Sequence, residues 1–73
     1  MKVDDLQDRL ARLRSGETLL LAAAEVEQAF ASSYQTLEER RAAAARLAAL
    51  YHCRLTVCGP GESQILFTRN NHL

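Results

Sequence analysis

His52, Cys53, Cys58 and His72 are the residues of this 73-residue chain whose types suit a metal ion or an activated nucleophile. Their spacing argues against both. Cys53 and Cys58 stand in a C-x4-C arrangement within a segment of strand-like alternation, and positions that differ by an odd number point to opposite faces of a strand. A structural zinc site favours a tight C-x2-C knuckle instead. The expected arrangement is a buried Cys53, an edge Cys58 and histidines in solvent. Nucleophilic catalysis needs a base beside the nucleophile and a third group to orient that base; the two histidines have no such pair. No G-x-S-x-G, P-loop or paired-carboxylate pattern occurs. Gly59-Pro60-Gly61 is too short to cradle a phosphate and is followed by Glu62. The chain therefore reads as a non-enzyme, with no cofactor and no small-molecule substrate.

The remaining candidates are arginines, which suit docking rather than chemistry. Nine basic residues balance nine acidic ones, and a net charge of zero disfavours non-specific attraction to nucleic acid or membranes. Hydrophobic residues make up 48% of the chain and aromatic ones only 5%. Twelve alanines and twelve leucines supply most of that apolar content, which suits helices packed through small side chains. So much apolar surface excludes a disordered chain, while the short length leaves room for a thin core but not for an enclosed pocket. One domain is expected over 1–73, with a polar tail at 70–73. The longest apolar run, Leu19 to Ala24, falls far short of the roughly 18–20 residues that cross a bilayer. The acidic, amphipathic start is unlike a signal peptide. A cytoplasmic location with free thiols follows as the expectation.

These residues must be positioned by elements legible in the pattern. Leu6, Leu10 and Leu13 at i, i+4 and i+7 predict a helix over about 4–14, with Asp4 as its cap, Gln7 as the reciprocal partner and Gly16 ending it. Asp5–Arg9 and Asp8–Arg12 are favourable i,i+4 pairs. Thr18 to Leu21 reads as a short strand leading into a helix at about 23–31, although Leu19, Ala23, Val26 and Phe30 also fit one continuous helix. Thr36 and Glu39 form a T-x-x-E capping box opening a helix over 37–51. Leu37, Ala44, Leu47, Ala48 and Tyr51 lie on its apolar stripe, with Ala43 at the edge. Ala42, Ala45 and Ala49 lie on a smooth opposite face. From Cys53 the pattern alternates with period two, and Cys58-Gly59-Pro60-Gly61-Glu62 supplies turn chemistry. A hairpin follows, with Ile65 and Phe67 facing the core beside Leu55 and Val57.

The fold class is α+β: three helices with a C-terminal β-hairpin, in the order α-β-α-α-β-β. That is the order of a winged helix-turn-helix. A DNA-reading winged helix sets its third helix in the major groove and uses basic residues on phosphates. Here that helix carries Arg40, Arg41 and Arg46, but Glu38 and Glu39 occupy its first turn. The stretch from Glu17 to Gln35 holds three acids and no base, and the wing adds Glu62. Such electrostatics favour a solvated charged face over phosphate contact. Arg40 falls within the apolar stripe, where it either snorkels toward Glu25 or Glu27 or anchors a protein interface. The alanine face takes either the N-terminal helix or a partner helix in trans.

The run Glu17-Thr-Leu-Leu-Leu, through Leu37-Glu-Glu-Arg-Arg-Ala-Ala-Ala-Ala-Arg-Leu, to Ile65-Leu-Phe-Thr-Arg69, on a chain of this length, resembles the small early regulators that lytic phages make to control host transcription, of the Xanthomonas phage type. The resemblance implies binding to bacterial RNA polymerase, on the β′ subunit near its N-terminus and on the β flap. It also implies inhibition of initiation by displacing the σ factor, and antitermination during elongation. Arg9, Arg12, Arg40, Arg41 and Arg46 are the expected contacts. A winged-helix DNA-binding repressor, with the same arginines on phosphates, is the alternative. A small oligomerising protein using the alanine face is a third reading.

Overall fold

The computed structural model describes residues 1–70. His72 and the last residues of the polar tail lie outside them. The elements follow the expected order: α1 (Val3–Ala11), β1 (Thr18–Ala22), α2 (Ala23–Ala29), α3 (Leu37–Leu50), β2 (Cys53–Cys58) and β3 (Gln64–Arg69). Thr18 to Leu21 is strand, and the chain enters α2 directly from Ala22.

The sheet is antiparallel with strand order β1-β3-β2, so the last strand lies in the middle. Cross-strand rows run Leu19–Phe67–Leu55 and Leu21–Ile65–Val57 on the inner face, and Leu20–Leu66–Thr56 on the outer one. Period-two alternation thus sends Ile65 and Phe67, both fully buried, into the helices. Cys53 joins them in the core, and Leu55 and Val57 pack against it half-buried.

The helices close this face through small residues. Ala43, Ala44, Leu47 and Ala48 of α3 are buried together with Val26 of α2 and Leu6 and Leu10 of α1. Alanine leaves little side chain between backbones, so α3 lies close to α2 and β2. Leu37 departs from its expected stripe: it is 45% exposed. Periodicity assigns a face, but burial also needs a neighbour, and the first turn of α3 has none at that position.

Helix ends show where local rules hold. Thr36 Oγ1 accepts from the Glu39 N–H at 3.2 Å, the expected cap. The other half of the box differs, since the Thr36 hydroxyl donates to Glu39 Oε1 at 2.8 Å. Thr36→Ala is expected to cost about 1 kcal/mol, read as a lower urea midpoint with an unchanged m-value. In α1 the expected Asp4 cap is replaced by Lys2, whose N–H donates to Asp5 Oδ2 at 3.2 Å. The earlier start lets Met1 and Val3 pack against the core, and it takes Asp5 away from Arg9. The helix stops at Ala11, so Arg14 is outside it and its N–H donates to Glu17 Oε1 at 2.7 Å. Gly16, at φ 81°, serves the turn into β1 rather than the helix end, and its N–H donates to the Arg69 carbonyl at 2.9 Å. Arg69 ends β3, and the Asn70 N–H, at the start of the expected polar tail, continues the ladder to the His52 carbonyl at 2.9 Å.

Candidate functional site

The five arginines singled out from the sequence do not form one patch. Arg40 and Arg41 open α3, and Arg46 follows more than a turn later. At about 100° per residue they stand roughly 100–140° from one another around the helix axis, so no single face carries all three.

Two of them are held by the fold. The Arg40 Nε–H donates to the Tyr34 carbonyl at 2.8 Å, which ties the link after α2 to α3. Neither Glu25 nor Glu27 receives it. Arg41 takes that role instead: its Nε lies 3.1 Å from Glu27 Oε2, and Nη1 lies 3.5 Å from Glu62 Oε1. One guanidinium thereby joins α2, α3 and the turn after β2. The hydrogen bond to Glu27 raises the Arg41 pKa above its ordinary value; desolvation opposes it, and the Glu62 hydrogen bond adds to it. Gly59 and Gly61 adopt positive φ as expected, and Glu62 does too, at 59°, a conformation disfavoured for a residue with a Cβ.

Arg9, Arg12 and Arg46 are exposed. Arg12 pairs with Asp8 at 3.2 Å across one turn of α1, an exposed contact of the kind that contributes little. Arg9 and Arg12 border an open cleft of about 350 Å³ whose other lining residues are Met1, Asp5, Asp8 and Glu25. Three carboxylates against two guanidiniums make it a poor phosphate seat. A surface of mixed sign suits another protein surface of mixed sign.

On α3 the outward line is Glu38, Ala42, Ala45 and Ala49, flanked by Arg46 and by Leu50, which is 75% exposed. The alanine face is therefore open. α1 docks on α2 instead of on this line, burying Leu6 and Leu10 there. A partner approaching α3 meets small side chains, one leucine, one cation and a leading acid. The sequence showed each of these residues. It left open whether α1 or a partner would cover Ala42, Ala45 and Ala49, because a smooth face suits either.

Cys53 and Cys58 are free thiols, on opposite faces of β2 as the odd spacing required. The Cys53 thiol donates to the Tyr51 carbonyl at 3.4 Å. Burial pushes its pKa up, and nearby Arg69 partly offsets this. Its proton is held more tightly in the folded chain than in the unfolded one. The resulting stability is full below the unfolded thiol's pKa of about 8.5 and is lost as pH rises through the raised folded value. Between neutral pH and about pH 10 the urea midpoint is expected to fall further for the native chain than for Cys53→Ala. Among the described residues no cluster of three His, Cys, Asp or Glu side chains is placed to hold a metal ion. His52 takes φ 59° where α3 turns into β2, the left-handed position that often follows a helix.

Fold and surface together define a small α+β domain of three helices on a three-stranded sheet, with winged-helix order and a third helix whose outer line is exposed and of mixed charge. No helix among the described residues is long and apolar enough to cross a membrane. Comparison with protein-family models, with curated proteins and with solved structures finds no match to this chain.

Proposed function

We propose that this chain is a non-catalytic transcription regulator that binds bacterial RNA polymerase in the host cytoplasm, through the β′ and β subunits. It inhibits initiation and promotes antitermination. The resemblance of the sequence to small phage regulators supplies the partner. The observation that carries docking to protein over DNA is the state of α3: two of its three arginines are engaged inside the fold, and its open line is small and mixed in charge. A groove-reading helix would need those cations on phosphates. The contact set accordingly contracts to Arg9, Arg12 and Arg46, the exposed members. The winged-helix order favours the second reading, a DNA-binding repressor.

Purified bacterial RNA polymerase titrated with the chain separates the two. Binding, together with loss of promoter-dependent transcription, is the expected result. The triple reversal Arg9→Glu, Arg12→Glu and Arg46→Glu is expected to weaken that binding at least about tenfold, as loss of interface arginines does. Arg41 is unsuitable for this test because its loss also unpairs Glu27. No affinity for polymerase, with duplex affinity that falls steeply as salt rises, would transfer the assignment to the repressor.

A further inference from the structure

We propose that two copies of this chain associate through the free edge of β1, aligned antiparallel about a twofold axis at Leu20 and joining two three-stranded sheets into one of six. The proposal rests on backbone groups and does not depend on the polymerase reading.

The ladder to β3 determines which groups are free. The Arg69 N–H donates to the Glu17 carbonyl at 2.9 Å, and the Ala23 N–H donates to the Ser63 carbonyl at 2.8 Å. In an antiparallel pair the bonded residues alternate along the strand, so odd-numbered residues of β1 face β3. Thr18, Leu20 and Ala22 direct their N–H and C=O groups off the other side. The Ala22 carbonyl, at the N-cap of α2, accepts the first helical bond; none of the other groups has a hydrogen-bond partner among the described residues. All three residues are exposed, Leu20 to 52%.

Proteins usually blunt such an edge with charge, proline, a bulge or a cover. β1, Thr-Leu-Leu-Leu-Ala, carries no charge and no proline, and pairs with β3 in unbroken register. The other edge strand, β2, carries Arg54 and has α3 packed against it.

A second copy is the occupant that this edge matches. With Leu20 on the twofold, Leu20 pairs with Leu20 of the other copy, Thr18 with Ala22, and Ala22 with Thr18. The Leu20 pair exchanges two N–H···O bonds, and each Ala22 N–H donates to a Thr18 carbonyl, while each Thr18 N–H meets an Ala22 carbonyl that also accepts from its own helix. The outer-face row Leu20–Leu66 continues into its symmetry mate as an apolar strip. Charge does not oppose the approach, because the strand is uncharged and the whole chain has net charge zero. The contact is small, which makes the dimer concentration-dependent rather than obligate.

The test uses the full chain. Sedimentation equilibrium up to about millimolar protein is expected to show a monomer–dimer equilibrium. Leu20→Lys sets two ammonium groups opposite each other on the axis and is expected to weaken the dimer at least about tenfold; Leu50→Lys, on α3, leaves it unchanged. Amide hydrogen exchange on the unsubstituted chain gives an independent reading. Thr18, Leu20 and Ala22 amides gain protection as concentration rises, while Leu19 and Leu21 amides are protected throughout. A monomer at every concentration overturns the proposal. So does concentration-independent exchange at the three even positions, or protection gained at Cys53, Leu55 and Val57, which would place the contact on β2.

Discussion

Phe67→Ala is expected to remove a large part of the chain's stability, about 3–5 kcal/mol. Phe67 is fully buried at the middle of the central strand, flanked by Leu19 and Leu55 on its own row. It is one of only two phenylalanines, so the core has little other large apolar volume to close over a void. Truncating a buried phenylalanine costs about 3–5 kcal/mol. A domain of this length has about 4–11 kcal/mol in total, at roughly 0.05–0.15 kcal/mol per residue. Far-UV circular dichroism with a urea titration measures the outcome. A loss under about 1 kcal/mol would mean that the helices do not seat on this face of the sheet.

The second large effect comes from enlarging a side chain. Ala44 and Ala48 are fully buried in α3, where the short side chain sets the distance from the helix to its neighbours. Ala44→Leu or Ala48→Leu forces the helix outward and is expected to cost about 1–3 kcal/mol. Ala45→Leu, one position away on the open side, is expected to stay within about 0.5 kcal/mol. Helix propensities of alanine and leucine are close, so the contrast isolates packing. Equal midpoints for Ala44→Leu and Ala45→Leu would show that the wrong face of α3 has been placed inside.

That pair of alanines also marks the boundary between what sequence pattern specifies and what packing specifies. Hydrophobic periodicity placed Ala44, Leu47 and Ala48 on one stripe, and the structure buries them there. The same stripe included Leu37, which stays half in water because no neighbouring element covers it. Smoothness alone left the face of Ala42, Ala45 and Ala49 available to α1, yet α1 sits on α2.

The candidate site was less legible than the core. Sequence spacing made Arg40 the residue to reach an acidic partner on the second helix, and Arg41 does so. Neighbouring positions differ by about 100° around a helix, so the rotation of α3 about its own axis, set by its packing, decides which guanidinium meets Glu27. The second partner, Glu62, is 21 residues away along the chain. No local pattern could have joined them.

Local chemistry in the sequence determined the element order, the Thr36 cap, the turn glycines at positive φ, and the alternation that sends Ile65 and Phe67 inward. Those features depend on residues within a few positions of one another, and period or steric preference is enough to specify them. Tertiary structure alone decided that β3 lies between β1 and β2, that α1 starts at Val3, that Arg41 is engaged and Arg46 exposed, and that the even-numbered N–H groups of β1 face outward. Each of these depends on which distant segment arrives alongside, and a free strand edge exists only once the sheet order is known.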